Sequence, residues 1–180
     1  EYALNKLDSI KPSGCTNLWD GLEKGMKCVM RSENKLSSIF LLTDGIPNME
    51  PPRGHLPTLK NFLEQNSINA SINTFGFGYS LDCELLHSIA EIGKGNYSFI
   101  PDGSFVGTIF INALSNVLST CAKNCYLNIN CSGIKQPMFN HHHNVNGIIV
   151  DLVNIKNGQK RNIYIELEDI NASIDVTLTY

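Results

Sequence analysis

The feature that most constrains this chain is a short run, Ile39-Phe40-Leu41-Leu42, that stops abruptly at Thr43-Asp44-Gly45. Four apolar residues with no polar one between them suit a strand buried on both faces, as in a parallel sheet. Parallel neighbours need crossover connections of a dozen residues or more, usually helical. The end of the run puts a carboxylate where the chain leaves the sheet. In open α/β sheets, ligands bind outside that carboxyl edge.

The flanking sequence supplies the crossovers. Ala3, Leu4 and Leu7 give residues 2–10 a helical period, and Lys11-Pro12-Ser13-Gly14 breaks it. A second helix carries Leu18, Leu22, Met26, Val29 and Met30 on one face. Gly21 and Gly25 cost that helix about 1 kcal/mol each relative to Ala. Their spacing reads either as close packing against a neighbour or as flexibility. Residues 31–37 form a polar connector, and 45–57 a loop rich in Pro and Gly. Leu59, Phe62 and Leu63 mark a helix ending near Asn66, and residues 68–78 read as a second strand. Leu81, Leu85, Leu86, Ile89 and Ile92 form a helical stripe stopped by Gly93-Lys94-Gly95. Residues 96–100 make a third strand, and 105–118 the clearest amphipathic helix of the chain.

This alternation predicts an α/β fold with a parallel sheet and right-handed crossovers. After Cys121 the texture changes. Segments 126–131, 147–153, 161–167 and 173–180 are short, β-branched and separated by polar loops, which predicts antiparallel β structure. A boundary near Asn124 divides the chain into an α/β domain, 1–124, and a β extension, 125–180.

Composition narrows the partners. With 180 residues, 42% hydrophobic and 17% charged, the chain suits a globular protein. A net charge of -3 and no Lys/Arg stripe argue against nucleic acid. No apolar run is long enough to span a membrane, and no signal-peptide pattern opens the chain. Cys15, Cys28 and Cys83 are scattered, and Cys121, Cys125 and Cys131 cluster without forming a disulfide framework. Reduced thiols and a cytoplasmic setting are therefore expected. Asn69, Asn96, Asn130 and Asn171 sit in N-x-S patterns, which a chain rich in Asn and Ser produces by chance.

Two motifs carry a family resemblance. Gly14-Cys15-Thr16-Asn17-Leu18-Trp19-Asp20-Gly21-Leu22 and Leu41-Leu42-Thr43-Asp44-Gly45 resemble the G-G-T-N-L-x-x-G-L and L-L-T-D-G signatures of the von Willebrand factor A domain family. Thr74-Phe75-Gly76-Phe77-Gly78 and the last helix keep the family order, so the likeness covers residues 1–120. The resemblance implies a Rossmann-like sheet with flanking helices and a non-enzymatic protein-interaction module. It also implies a divalent ion, Mg²⁺ or Mn²⁺, in a metal-ion-dependent adhesion site at the top of the sheet. By the same likeness, the ligands are the Thr16 hydroxyl and the Asp44 carboxylate, directly or through water. An acidic side chain of a partner protein completes the coordination. Mg²⁺ keeps waters and takes few protein oxygens.

The family also carries D-x-S-x-S after its first strand, and this sequence has none. The nearest candidate, Asp102-Gly103-Ser104-Phe105-Val106, departs at the last position and follows the last strand of the pattern. The strand, helix and hairpin that open the family pattern have no counterpart either. A fragment or a truncated gene is expected, with the Ile39 strand showing an apolar edge. The 125–180 segment resembles the β-sandwich of some intracellular multi-domain relatives, with Gly158-Gln159-Lys160-Arg161-Asn162-Ile163 as its turn and strand start. Some of those relatives carry ubiquitin-ligase modules, which gives the alternative function: a substrate-binding scaffold region of a multi-domain enzyme such as a ubiquitin ligase.

Other chemistry is thin. His141-His142-His143 lies between Asn140 and Asn144 and reads as a polar loop, because consecutive residues of an extended chain alternate sides and three cannot share one ion. His55 and His87 have no paired nucleophile, and no G-x-S-x-G is present. Asp82 and Glu84 suit a helix N-terminus. Trp19 is expected to pack on the sheet, and Phe75 and Phe77 to be core.

Overall fold

The computed structural model describes residues 2–9, 11, 14–32, 37–131, 133–135, 141–144, 147–169 and 172–180. The chain divides into two compact units, Glu1–Ile109 and Phe110–Tyr180. The division falls ahead of the composition shift near Asn124.

The first unit alternates as the sequence predicts: α1 (Tyr2–Asp8), α2 (Leu18–Met30), β1 (Ser37–Thr43), α3 (His55–Gln65), β2 (Ala70–Phe77), α4 (Cys83–Ile92) and β3 (Tyr97–Ile100). The helix α5 (Val106–Leu118) runs across the division into the second unit. The sheet order is β1-β2-β3, all parallel, with Ile39 opposite Ile72 and Thr74 opposite Tyr97. Caps set the helix starts. The Asn17 side chain accepts from the Asp20 N–H at 3.1 Å to open α2, and Asp82 accepts from the Leu85 N–H at 2.9 Å to open α4.

Leu18, Leu22 and Met26 of α2, Leu59 of α3 and Leu86 and Ile89 of α4 pack with Ile39 and Ile72 into one core. Buried Thr74 joins this core by donating to the Leu86 carbonyl at 2.9 Å. The other face of the strands holds a polar relay that keeps the buried amide of Asn73 satisfied. Asn73 donates to the Ser38 hydroxyl at 2.7 Å and accepts from the Asn96 N–H at 3.0 Å. The Phe40 and Phe75 rings lie 5.1 Å apart. Trp19 meets Phe62 of α3 edge-on at 6.1 Å, so it bridges two helices as well as joining the core.

The glycines of α2 resolve differently from one another. A Cβ on Gly21 meets nothing within 4 Å, and one on Gly25 meets the Ile39 side chain at 3.5 Å, an ordinary contact. In the turn after α4, Gly95 demands glycine: a Cβ there would sit 2.0 Å from the Ile72 carbonyl oxygen. That close approach lets the turn after α4 continue the ladder beside β2, with the Ile72 N–H donating to the Gly93 carbonyl at 2.9 Å.

Two expectations need correction here. The Ile39 strand is not buried on both faces: β1 is the edge of its sheet, and Leu42 is 55% exposed while Ile39 is buried. Phe75 is core at 1% exposure, but Phe77, the last residue of β2, is 40% exposed.

The second unit contains β4 (Thr120–Asn130), β5 (His141–Asn144), β6 (Gly147–Lys156) and β7 (Asp175–Thr179) in the antiparallel order β5-β6-β4-β7. Cys125, Ile129, Ile148, Val150 and Leu152 form its core, with Ile134, Ile163 and Ile165 packed on it. Two further expectations fail here. The His141-His142-His143 triplet belongs to strand β5, opposite 148–150, not to a loop. Residues 161–167 form no ladder strand beyond the single bridge of Leu167 to Ile134. Their alternating apolar residues, Ile163 and Ile165, pack onto the sheet instead of joining it. The turn at Gly158 is present, with φ +71°. Among the described residues every cysteine is a free thiol, Cys125 and Cys131 buried and the other four exposed. No described helix is long and apolar enough to cross a membrane.

Candidate functional site

The two residues singled out by the sequence lie in neighbouring loops. β1 ends at Thr43, whose hydroxyl donates to the Gly45 carbonyl at 3.0 Å and accepts from the Gly45 N–H at 3.4 Å. This side-chain turn tightens the chain and leaves Asp44 at its apex, exposed. Among the described residues none forms a hydrogen bond or ion pair with the Asp44 carboxylate.

Thr16 precedes the N-cap of α2 and is half-buried. Its backbone is gripped on both sides by one residue. The Thr16 N–H donates to the Asn48 side-chain oxygen at 2.8 Å, and the Asn48 N–H donates to the Thr16 carbonyl at 3.2 Å. Asn48 therefore ties the loop that follows Asp44 to the loop that holds Thr16. The sequence reading missed it. An Asn in a Pro-rich loop looks like ordinary turn chemistry, and its partner lies 32 residues away.

One further carboxylate, at the start of α2, is engaged. Asp20, in the first turn of α2, pairs with Lys24 at 2.6 Å, and that hydrogen bond and charge raise the Lys24 pKa. The pair is exposed, so it adds little stability.

The donors that remain are a hydroxyl and a free carboxylate. Both are hard oxygens and suit Mg²⁺ or Mn²⁺ in kind, but they are few, since such ions take about six ligands. No cluster of three or more His, Cys, Asp and Glu able to hold a metal occurs among the described residues. Asp102 does not add to the set. It accepts from both the N–H and the hydroxyl of Ser104, closing a local turn that holds its carboxyl below the usual range.

One more polar group of the first unit is perturbed. Tyr97 of β3 donates its hydroxyl to the Cys83 sulfur at 3.2 Å, and its ring lies edge-on to His87. Burial, and then the bond to Cys83, push the phenol up to about 12. In the second unit, burial pushes the Cys125 thiol up and makes it a poor nucleophile.

Comparison with known proteins follows this geometry. Over 122 residues the chain is 30% identical to the uncharacterized protein YfbK of Escherichia coli strain K12, an alignment that covers 65% of this chain and 21% of that protein. The chain thus spans about a fifth of that relative's length. Among solved structures it is similar to the ArnB paralog VWA2 from Sulfolobus acidocaldarius, at 22% identity and a TM-score of 0.47, covering 94% of this chain and 48% of that one. It is also similar to a von Willebrand factor type A structure from Catenulispora acidiphila, at 17% identity and a TM-score of 0.45, covering 78% and 39%. The family model for the von Willebrand factor type A domain matches residues 1–99, more than half of the sequence, and the chain belongs to that family.

Proposed function

We propose that this chain is a non-enzymatic protein-interaction module whose contact surface is the strand-end loop pair around Thr16 and Asp44. The observation that supports this reading is the double hydrogen bond of Asn48 to Thr16, which fixes one loop against the other while Asp44 stays exposed and has no hydrogen-bond or ion-pair partner among the described residues. A carboxylate left free at the C-terminal edge of a parallel sheet is available to a ligand. Thr16 and Asp44 would hold Mg²⁺ or Mn²⁺ through two oxygens, with water filling other positions. An acidic side chain of the partner protein would complete the shell and make association metal-dependent. The bound ion would supply a positive charge that attracts that carboxylate.

Titration calorimetry of the full chain with Mg²⁺ and with Mn²⁺ tests the reading. Two protein oxygens predict weak binding, with a dissociation constant of about 1 mM. Asp44→Ala should abolish it. Asn48→Ala, which frees the loops without removing a ligand, should weaken it about tenfold. Absence of heat for both ions at saturating concentration, with Asp44→Ala indistinguishable from the parent, would sink the metal-dependent reading.

A further inference from the structure

The two edges of the second unit's sheet differ in a way that points to self-association. One edge, β5, is four residues long and made of His and Asn. Short, polar edge strands are a common protection against unwanted pairing. The other edge, β7, has no such protection. Its sequence, Asp175-Val176-Thr177-Leu178-Thr179, contains no Lys and no Pro, and no register shift interrupts its pairing with β4. All five of its residues are exposed.

Its apolar residues continue a buried face. Val176 lies opposite Ile129 and Leu178 opposite Leu127, and Ile129 and Leu127 lie in turn opposite Ile148 and Val150 of β6. Toward β6 this face is core. At β7 it is open, with Val176 56% and Leu178 46% exposed and Ile174 and Tyr180 exposed beside them. Among the described residues, no strand pairs with the outer edge of β7.

The strand is complementary to itself. If a second β7 pairs antiparallel about Thr177, Val176 opposes Leu178, Asp175 opposes Thr179, and Thr177 opposes its own copy. The flanking Ile174 then meets Tyr180. Apolar residues meet apolar ones, hydroxyls meet each other or the carboxylate, and the strand's one charge never faces its like. An isologous two-fold pairing of this kind closes after two copies.

We propose that β7 is a homodimerisation edge, on which a second copy of this chain pairs antiparallel about Thr177 to join two four-stranded sheets into one of eight strands.

The test uses charge at the dyad. Thr177 is exposed and outside the core, so Thr177→Lys and Thr177→Glu should both fold, as checked by circular dichroism. Sedimentation equilibrium of the full chain should show a concentration-dependent dimer. Each charged variant alone should lose it by at least tenfold in dissociation constant, because like charges then stand directly opposite. An equimolar mixture of the two should recover it as a heterodimer, an outcome that loss of folding cannot produce. A chain that stays monomeric throughout overturns the proposal. So does a dimer that Thr177→Lys leaves intact, or one lost instead on Leu42→Lys at the edge of β1.

Discussion

The first unit covers its sheet with helices, whereas the second covers its sheet with an extended segment. In the first, α2, α3 and α4 each bring an apolar stripe to Ile39 and Ile72, and each stripe is complete within one stretch of sequence. In the second, β4 must find β6 and β7 across long separations, with Asn130 opposite both Gly147 and Asp175. Its core is closed by Ile134, Ile163 and Ile165, from segments outside the named strands. A helix announces its buried face by period. A segment that merely lies across a sheet carries the same alternation as a strand that pairs in it. Helical cover is therefore legible locally, and extended cover is not.

The sharpest way to break this contrast is at Gly95. If the helix-covered unit depends on the turn after α4 lying against β2, Gly95→Ala should destabilise it by about 3 kcal/mol, since its Cβ would overlap the Ile72 carbonyl. Urea unfolding followed by Trp19 fluorescence reads this out, and a loss below 1 kcal/mol would show that the turn can move aside. Next come paired core truncations. Leu59→Ala, at a fully buried site, should cost about 3 kcal/mol, and Ile165→Ala, at a half-buried one, about 1 kcal/mol. Equal losses would mean that extended cover packs as tightly as helical cover.

A smaller effect of opposite sign is expected at Gly21. Its Cβ meets nothing, so Gly21→Ala should stabilise the chain by about 1 kcal/mol, seen as a raised thermal midpoint. A loss would revive the reading of this glycine as a close-packing site.

A last prediction concerns pH dependence and leaves stability near neutral pH unchanged. The Tyr97 pKa is raised in the fold from 10.0 to about 12, so the neutral phenol is the form the fold stabilises. Its contribution is fully present below pH 10 and is lost as the pH climbs toward 12. Absorbance titration of tyrosinate, differenced against Tyr97→Phe, should show one late-ionising group. Cys83→Ala should bring it down only in part, because burial is the larger cause. Ionisation near the ordinary value would mean that β3 is more open to water here than its neighbours are.

How much was legible follows the same physics. The run at Ile39 and the stripe from Leu81 to Ile92 each appear where the sequence puts them, and Asp82 stands at a helix start as its charge suggests, because each is a local device. Alternation puts Phe77 on the face of Phe75 but carries no sign that the end of β2 is exposed. The polarity of the triplet at His141 suggests a loop, yet it has an edge position opposite 148–150, where a polar strand can stay. At the candidate site, motifs mark Thr16 and Asp44, while only the fold brings Asn48 to them.

The amino-acid sequence by itself determined the family, the order of helices and strands in the first unit and the two oxygen-bearing residues, Thr16 and Asp44. Those follow from local periodicity, capping and motif chemistry. Tertiary structure alone decided that Asn48 locks the loops of Thr16 and Asp44 together, that residues 161–167 cover rather than pair, and that β7 is left exposed at the edge of its sheet. Each of these depends on which distant backbone or side chain arrives as a neighbour, and hydrogen-bonding and burial energies between distant residues leave no periodic trace in either segment.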